Sequence, residues 1–320
     1  MSETSIETDF AREYDVRGSL PAFDAIIADW GVRGRAALAT ADCRRNLHYG
    51  PAAVETLDYF PVAEGKSGTP PLLIFLHGGF WRRLGKEDFG WLAPPFVSRG
   101  IAVAIVDYGL APSTALEEIV AQSRRSVTWL HQQADRLGFD RDRMVVAGHS
   151  AGGHLTAMML ATDWTEVDPT LPARPLAGGI ALSPLADLAP LAQVPELHAD
   201  LDFTPWRIAS LSPARLPQPA GIPLLGSVGG LESREFKRQL AVLAAVWPDC
   251  WAGGVDMPEC DHLSLCEAFA APESPLFEAA IRFVKESARR CRPRSSDHAP
   301  HEAGGSRDGI SSQPGPHPAP

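Results

Sequence analysis

The pentapeptide Gly148-His149-Ser150-Ala151-Gly152 constrains this chain more than any other stretch. It has the form G-x-S-x-G, and its flanks give it meaning. Met144-Val145-Val146-Ala147 before it is a short apolar run of the kind that forms a buried strand. Gly153-His154-Leu155-Thr156-Ala157-Met158-Met159-Leu160 after it is rich in helix formers. Strand, tight turn and helix is the setting in which such a pentapeptide becomes a nucleophile elbow. The turn is sterically tight, so small residues must flank the serine. The hydroxyl then stands at the head of a helix, whose free N–H groups favour developing negative charge. Ser150 is the candidate nucleophile.

A second motif lies upstream. The apolar run Pro71-Leu72-Leu73-Ile74-Phe75-Leu76 leads directly into His77-Gly78-Gly79-Phe80-Trp81. A loop of the HGGG type after such a strand supplies backbone N–H groups to an oxyanion hole, because glycines let the backbone approach the substrate oxygen. Phe80 stands here in place of the third glycine, so the expected donors are the amides of Gly79, Phe80 and Ala151. Each such donor contributes about 3–4 kcal/mol to the transition state. The aromatic pair Phe80-Trp81 is either core or an apolar wall for substrate, and both residues are candidate substrate contacts.

A serine hydroxyl needs a base, and the base needs an orienting carboxylate. In a chain with this elbow the order is Ser, then acid, then His. His262 lies just past the last expected strand, where a loop can carry it back over Ser150. Glu232 is the first carboxylate after the preceding strand and takes the orienting role, with Glu235 as its rival. Asp256 and Asp261 are too close to His262 in sequence to brace it from a neighbouring strand. Simpler roles suit other conspicuous residues. His149 packs at the elbow, His154 lies on a helix face, His77 holds its loop in shape, and Asp107-Tyr108 can brace that loop. Cys260 has no elbow of its own and is not a nucleophile candidate.

The rest of the chain reads as strands alternating with helices, which predicts a mostly parallel central sheet with helices on both faces. Helix is expected within 10–40, 88–99, 115–137, 233–247 and 274–290, and strand at 55–60, 101–106, 179–183, 222–228 and 252–257. Residues 184–221 are rich in Pro, Ala and Leu without a sustained period, as in a small lid insertion. Residues 64–70 read as a turn. One domain over 1–291 is expected, followed by a Pro/Ser/His-rich tail at 292–320 that is too poor in large apolar residues to fold. The tail histidines His298, His301 and His317 lack metal-ligand spacing, and no metal site is expected.

Bulk properties exclude several function classes. A formal net charge of -10 disfavours nucleic acid or an anionic membrane as partner. No apolar run approaches the roughly 20 residues that cross a bilayer. Residues 1–9 lack the basic and apolar regions of a signal peptide. The five cysteines, Cys43, Cys250, Cys260, Cys266 and Cys291, are odd in number and form no C-x-x-C pair, so they read as reduced thiols of a cytoplasmic protein. The expected partner is a small-molecule substrate, and a homodimer is allowed.

With these residues in hand, the chain resembles the kynurenine formamidase (arylformamidase) branch of the α/β-hydrolases, near the hormone-sensitive-lipase-like esterases. The resemblance covers most of residues 12–290. Its carriers are Glu13-Tyr14-Asp15, Tyr49-Gly50-Pro51, Leu57-Asp58-Tyr59-Phe60, the His77–Trp81 loop, the elbow through Leu155, Glu232-Ser233-Arg234-Glu235-Phe236-Lys237-Arg238-Gln239, and Asp261-His262. It implies an α/β-hydrolase fold and hydrolysis of N-formyl-L-kynurenine to L-kynurenine and formate, in tryptophan breakdown, without a cofactor. It also implies Ser150 as nucleophile, Glu232 as acid and His262 as base. Many members have Asp at the Glu232 position and Tyr at the Phe80 position, so the acid here has a different reach and the pocket mouth lacks a hydroxyl. A carboxylesterase for short-chain acyl esters would share every catalytic residue and differ only in pocket shape.

Overall fold

Five consecutive apolar residues cannot place one face in water, and four such segments form the middle of one sheet. The computed structural model describes residues 8–63 and 68–290, with the side chains of 288–290 excepted. The tail expected at 292–320 and part of the turn at 64–70 lie outside the described residues. The strands are β1 (Arg44–His48), β2 (Thr56–Phe60), β3 (Leu72–Leu76), β4 (Ala102–Val106), β5 (Met144–His149), β6 (Gly178–Leu182), β7 (Leu224–Gly229) and β8 (Trp251–Met257). They pair in the order β1-β2-β4-β3-β5-β6-β7-β8. β2 runs antiparallel to both its neighbours, and every other pairing is parallel. This is the α/β-hydrolase architecture.

The helices are α1 (Phe10–Glu13), α2 (Val16–Ser19), α3 (Phe23–Thr40), α4 (Ala93–Ser98), α5 (Leu116–Leu137), α6 (Ala151–Leu160), α7 (Trp164–Val167), α8 (Pro195–Leu201), α9 (Pro205–Leu211), α10 (Arg234–Val246), α11 (His262–Ala268) and α12 (Pro275–Arg290). They cover both faces of the sheet, and the period of 2 along each strand sorts the core accordingly. Leu72, Ile74 and Leu76 of β3 pack into one cluster with Ile119, Val127 and Leu130 of α5. Leu73 and Phe75 pack into the other with Trp30 of α3 and Phe277 and Ile281 of α12. α5 ends where Gly138 takes the left-handed conformation, at φ 84°.

Four elements depart from the expectations. The helix expected over 10–40 is three helices, because the side chains of Asp9 and Asp15 accept from Arg12 N and Gly18 N and start new turns. β1 is polar and largely exposed, so no apolar period announces it. Residues 184–221 contain α8 and α9, each of seven residues with a proline at its start, too short to show a helical period. His262 lies in the first turn of α11 rather than in a loop. Asp261 caps that helix, accepting from Leu263 N and Ser264 N while Ser264 Oγ accepts from Asp261 N.

A buried ion pair ties β1 to the sheet. β1 is bulged between Arg44 and Leu47, and Asn46 there has φ 52°. The Asp58 carboxylate accepts from the Asn46 amide at 2.8 Å, and Lys86 Nζ lies 3.2 Å from its other oxygen. Lys86 is 3% exposed and also donates to Asn46 Oδ1 at 2.7 Å. Removing one partner of such a pair leaves an uncompensated buried charge, at a cost of about 3–5 kcal/mol. Lys86→Met is therefore expected to lower the unfolding free energy by about 3–5 kcal/mol in urea titration, and Asp58→Asn/Lys86→Met by distinctly less. A double variant no more stable than Lys86→Met would remove the electrostatic account.

Candidate active site

Parallel strands in register bring their C-terminal ends to one edge of the sheet, and the candidate residues sit on the loops there. β5 ends at the elbow. Ser150 has φ 57° and ψ -117°, a backbone conformation that is costly outside glycine and persists only where packing fixes it. Its amide donates to Leu182 O at 2.8 Å, which locks the elbow to β6. The flanking glycines are steric requirements. A Cβ on Gly148 would lie 2.2 Å from Gly152 O, and one on Gly152 would lie 1.9 Å from Leu76 O. β3 therefore passes directly against the first turn of α6, and the His77–Trp81 loop is brought to the serine. A Cβ on Gly78 would lie 3.3 Å from the Cβ of Ser150.

The loop after β3 is held from below by a stack. The His77 ring lies on Tyr108 with centroids 4.1 Å apart, and Tyr108 donates its hydroxyl proton to His77 O at 2.6 Å. Above it, Gly79, Phe80 and Trp81 have φ of 109°, 52° and 57° in succession. Among the described residues, the amides of Gly79, Phe80 and Ala151 donate to no protein acceptor. Ala151 is the first residue of α6, where an N–H has no intrahelical partner.

β7 and β8 supply the remaining pair. Glu232 Oε2 lies 2.6 Å from His262 Nδ1. Its other oxygen accepts from Ser183 Oγ at 2.6 Å and from Gly229 N at 2.7 Å. The carboxylate is thus satisfied in a place where its side chain is 1% exposed. The contact assigns the Nδ1–H tautomer to His262 and leaves Nε2 as an acceptor. Glu235, the rival acid, points elsewhere and is paired with Tyr14 and Arg238.

Ser150, His262, Gly78, Gly79 and Phe80 line one cavity of about 780 Å³. The N-terminal segment forms its far wall through Arg12, Tyr14 and Phe23, and Val194–Leu197 from the insertion contribute to it. Trp81 is a correction to the sequence reading. It is fully buried and does not line the cavity, because the left-handed turn at Phe80 and Trp81 sends consecutive side chains apart. Its indole packs edge-on against His154, with centroids 4.9 Å apart. Sequence reasoning also missed Ser183 and Phe236. Ser183 directly follows β6 with φ 45°, and a polar residue just past a buried strand was the available signal. Phe236 lies 4.4 Å from the His262 ring, centroid to centroid.

Among the described residues no group of His, Cys, Asp and Glu is arranged to hold a metal, and no helix is long and apolar enough to cross a membrane. A family model described as BD-FAE matches residues 57–173. A kynurenine formamidase of Salmo salar is 30% identical over 250 residues, which is 76% of this chain and 82% of that protein. The chain belongs to the kynurenine formamidase family. A provisionally assigned thioesterase of Silicibacter sp. superposes with a TM-score of 0.74 at 29% identity, over 87% of this chain and 100% of that one. Esterase B of Lactobacillus rhamnosis, solved with a tributyrin phosphonate inhibitor, shares the fold with a TM-score of 0.67 at 19% identity, over 86% of this chain and 97% of that one. The chain is a hydrolase of this fold.

Two histidines beside the elbow are kept neutral. Burial pushes His149 well below its ordinary value, and the neighbouring His262 adds to the effect. Burial likewise lowers His154 to about 4, against the opposing hydrogen bond of its Nε2 to Leu211 O at 2.7 Å. An unfolded chain takes up a proton on His154 near pH 6.5 that the folded chain refuses until about pH 4. Stability from this site is therefore full above pH 6.5, falls as pH drops toward 4, and then levels off, a total of about 3 kcal/mol. His154→Gln, which keeps a donor for Leu211 O, is expected to flatten the fall between pH 6.5 and 4 by about that amount in urea titrations at each pH. Equal slopes for parent and variant would show that His154 does not titrate in this way.

Proposed function

We propose that this chain hydrolyses N-formyl-L-kynurenine to L-kynurenine and formate through an acyl-enzyme on Ser150. The observation that carries the reading is the 30% identity to a kynurenine formamidase over 82% of that protein's length. In the proposed mechanism Ser150 Oγ attacks the formyl carbon while His262 Nε2 accepts its proton. Glu232 holds the imidazole by Nδ1–H and stabilises the imidazolium that forms. The carbonyl oxygen becomes an oxyanion held by the amides of Gly79, Phe80 and Ala151. Collapse expels the aniline nitrogen, which takes the proton back from His262. Water, deprotonated by His262, then attacks the formyl ester, and formate leaves as Ser150 regains its proton.

The cavity supports an aromatic acid as the substrate. Phe80, Tyr14 and Phe23 offer ring surfaces along it. Its ionic groups are mostly occupied. Arg17 pairs with Asp24 and Arg82 with Asp200, while Asp9 and Asp15 accept from helix amides. Arg12 and Arg83 form no ion pair among the described residues, which leaves positive charge for a carboxylate. The lining as a whole is balanced, with Arg12, Arg17, Arg82 and Arg83 against Asp9, Asp15, Asp24 and Glu196, so the two unpaired guanidiniums rather than a net excess are what a substrate carboxylate would meet. The free thiols Cys43, Cys250, Cys260 and Cys266 are consistent with a cytoplasmic setting for the enzyme. No cofactor enters the mechanism, and the partner is the small-molecule substrate.

Paired steady-state kinetics on N-formyl-L-kynurenine and p-nitrophenyl acetate test the substrate. The formamide is expected to give kcat/KM of about 10⁴ M⁻¹s⁻¹ or more, well above the ester. Ser150→Ala is expected to lose about 10⁶-fold in kcat on both. Ester turnover with little formamide cleavage would transfer the function to a short-chain carboxylesterase, and an active Ser150→Ala protein would sink the nucleophile.

The carboxylate contact is tested separately. Arg12→Gln/Arg83→Gln is expected to raise KM for the formamide about tenfold, or 1.4 kcal/mol, with KM for the uncharged ester unchanged. Parallel changes on both substrates would rule out charge recognition.

A further inference from the structure

Two of the sequence motifs, Glu13-Tyr14-Asp15 and the run from Glu232 to Gln239, have no part in the chemistry above beyond Glu232 itself. They meet in the fold. Tyr14 Oη donates to Glu235 Oε2 at 3.0 Å and accepts from Gln239 Nε2 at 2.7 Å. Gln239 is fully buried, and Tyr14 and Glu235 are nearly so. Arg238 Nε closes the group on Glu235 at 2.9 Å from both carboxylate oxygens. Glu13 Oε2 accepts from the amide of Glu235 in the first turn of α10. The N-terminal segment is therefore fastened to the start of α10 through both side chains and backbone.

This fastening reaches the catalytic pair by two routes. Through rings, Tyr14 packs edge-on against Phe236, with centroids 5.6 Å apart at 77°, and Phe236 packs against the His262 imidazole at 4.4 Å. Through hydrogen bonds, Gln239 also donates to Asp187 O and accepts from Asp187 N, at 2.8 and 2.7 Å. Asp187 stands four residues past Ser183, which donates to Glu232. A single phenol thus stands behind both the face of the histidine and the loop that holds its acid. Tyr14 also lines the cavity with His262.

We propose that Tyr14 is a positioning residue for the Glu232–His262 pair, so that the N-terminal segment is part of the active site and not only its wall. The proposal rests on the triad reading above. The ring backs Phe236, which lies against the imidazole, and the hydroxyl fixes α10 and the Asp187 loop. Misplacement of a reacting group by about 1 Å can cost up to 10²-fold, so a remote contact of this kind is visible in kcat.

The experiment compares Tyr14→Leu and Tyr14→Phe with the parent on p-nitrophenyl acetate, a substrate too small to need the N-terminal wall. It also follows the downfield proton resonance of His262 Nδ1–H in the hydrogen bond to Glu232, assigned by its loss in Glu232→Ala. Tyr14→Leu is expected to lower kcat about tenfold with KM within about twofold, and to broaden or shift the resonance. Tyr14→Phe, which keeps the ring, is expected to lose only about threefold and to retain the resonance. If both variants keep parental kcat and an unchanged resonance while their melting temperatures fall, the contact is structural and the proposal is overturned. The ester and the resonance do not depend on the formamide. A parent inert toward N-formyl-L-kynurenine would therefore overturn the proposed substrate, while the Tyr14 comparison would still decide the positioning role.

Discussion

A carboxylate that is almost wholly out of water must have its oxygens satisfied, and the way Glu232 meets that demand organises the candidate site. Its three contacts come from Ser183 after β6, Gly229 at the end of β7 and His262 after β8. One buried charge thus pins three adjacent strand ends to one another. The imidazole cannot turn without breaking a 2.6 Å contact to that charge, and the carboxylate cannot follow it without abandoning Ser183 and Gly229. The tautomer, the ring orientation and the loop positions are fixed together. The Glu232 side chain folds back on its own turn, accepting from the amide of Gly229 three residues earlier.

The same edge of the sheet accounts for the other half of the site. Backbone contact between β3 and the first turn of α6, which only a glycine at 152 allows, sets the His77–Trp81 loop beside Ser150. The sheet therefore works as a ruler. Parallel pairing of β3 with β5, of β5 with β6, of β6 with β7 and of β7 with β8 places five loops in one row. Residues separated by nearly two hundred positions in sequence reach one cavity without any long-range search in the loops themselves. What the sheet does not supply is the opposite wall, and here that comes from the N-terminal segment.

This division explains what could be read in the sequence. Ser150, Gly79, Phe80, Glu232 and His262 each follow an apolar run, so their place at the sheet edge could be inferred from strand order alone. β1 could not, because an exposed bulged edge strand carries no alternation, and its reason for staying lies in the distant Lys86–Asp58 pair. α8 and α9 could not, because two turns are too few for a period to show. The partnership of Tyr14 with Glu235 spans 221 positions and depends on tertiary packing that no local pattern encodes. Phe80 and Trp81 were ambiguous for a similar reason. The side chains of neighbours part company only because both residues adopt left-handed backbone.

That backbone is the remaining puzzle of the loop, since L-residues with side chains pay about 1 kcal/mol or more each to stay there. Trp81 resolves it. Its fully buried indole packs against the His154 ring, and its carbonyl accepts from Ala111 N at 2.8 Å. Burying a side chain of this size contributes several kcal/mol toward the cost of the two left-handed residues, less the penalty of an indole Nε1 that has no hydrogen-bond partner among the described residues. The core contact of Trp81 thus stabilises a conformation that leaves the Gly79 and Phe80 amides without protein acceptors beside the serine. His154 belongs to the same arrangement, being held neutral by its burial against that indole. The aromatic pair divides the labour, one ring facing the cavity and the other holding the strained loop in place.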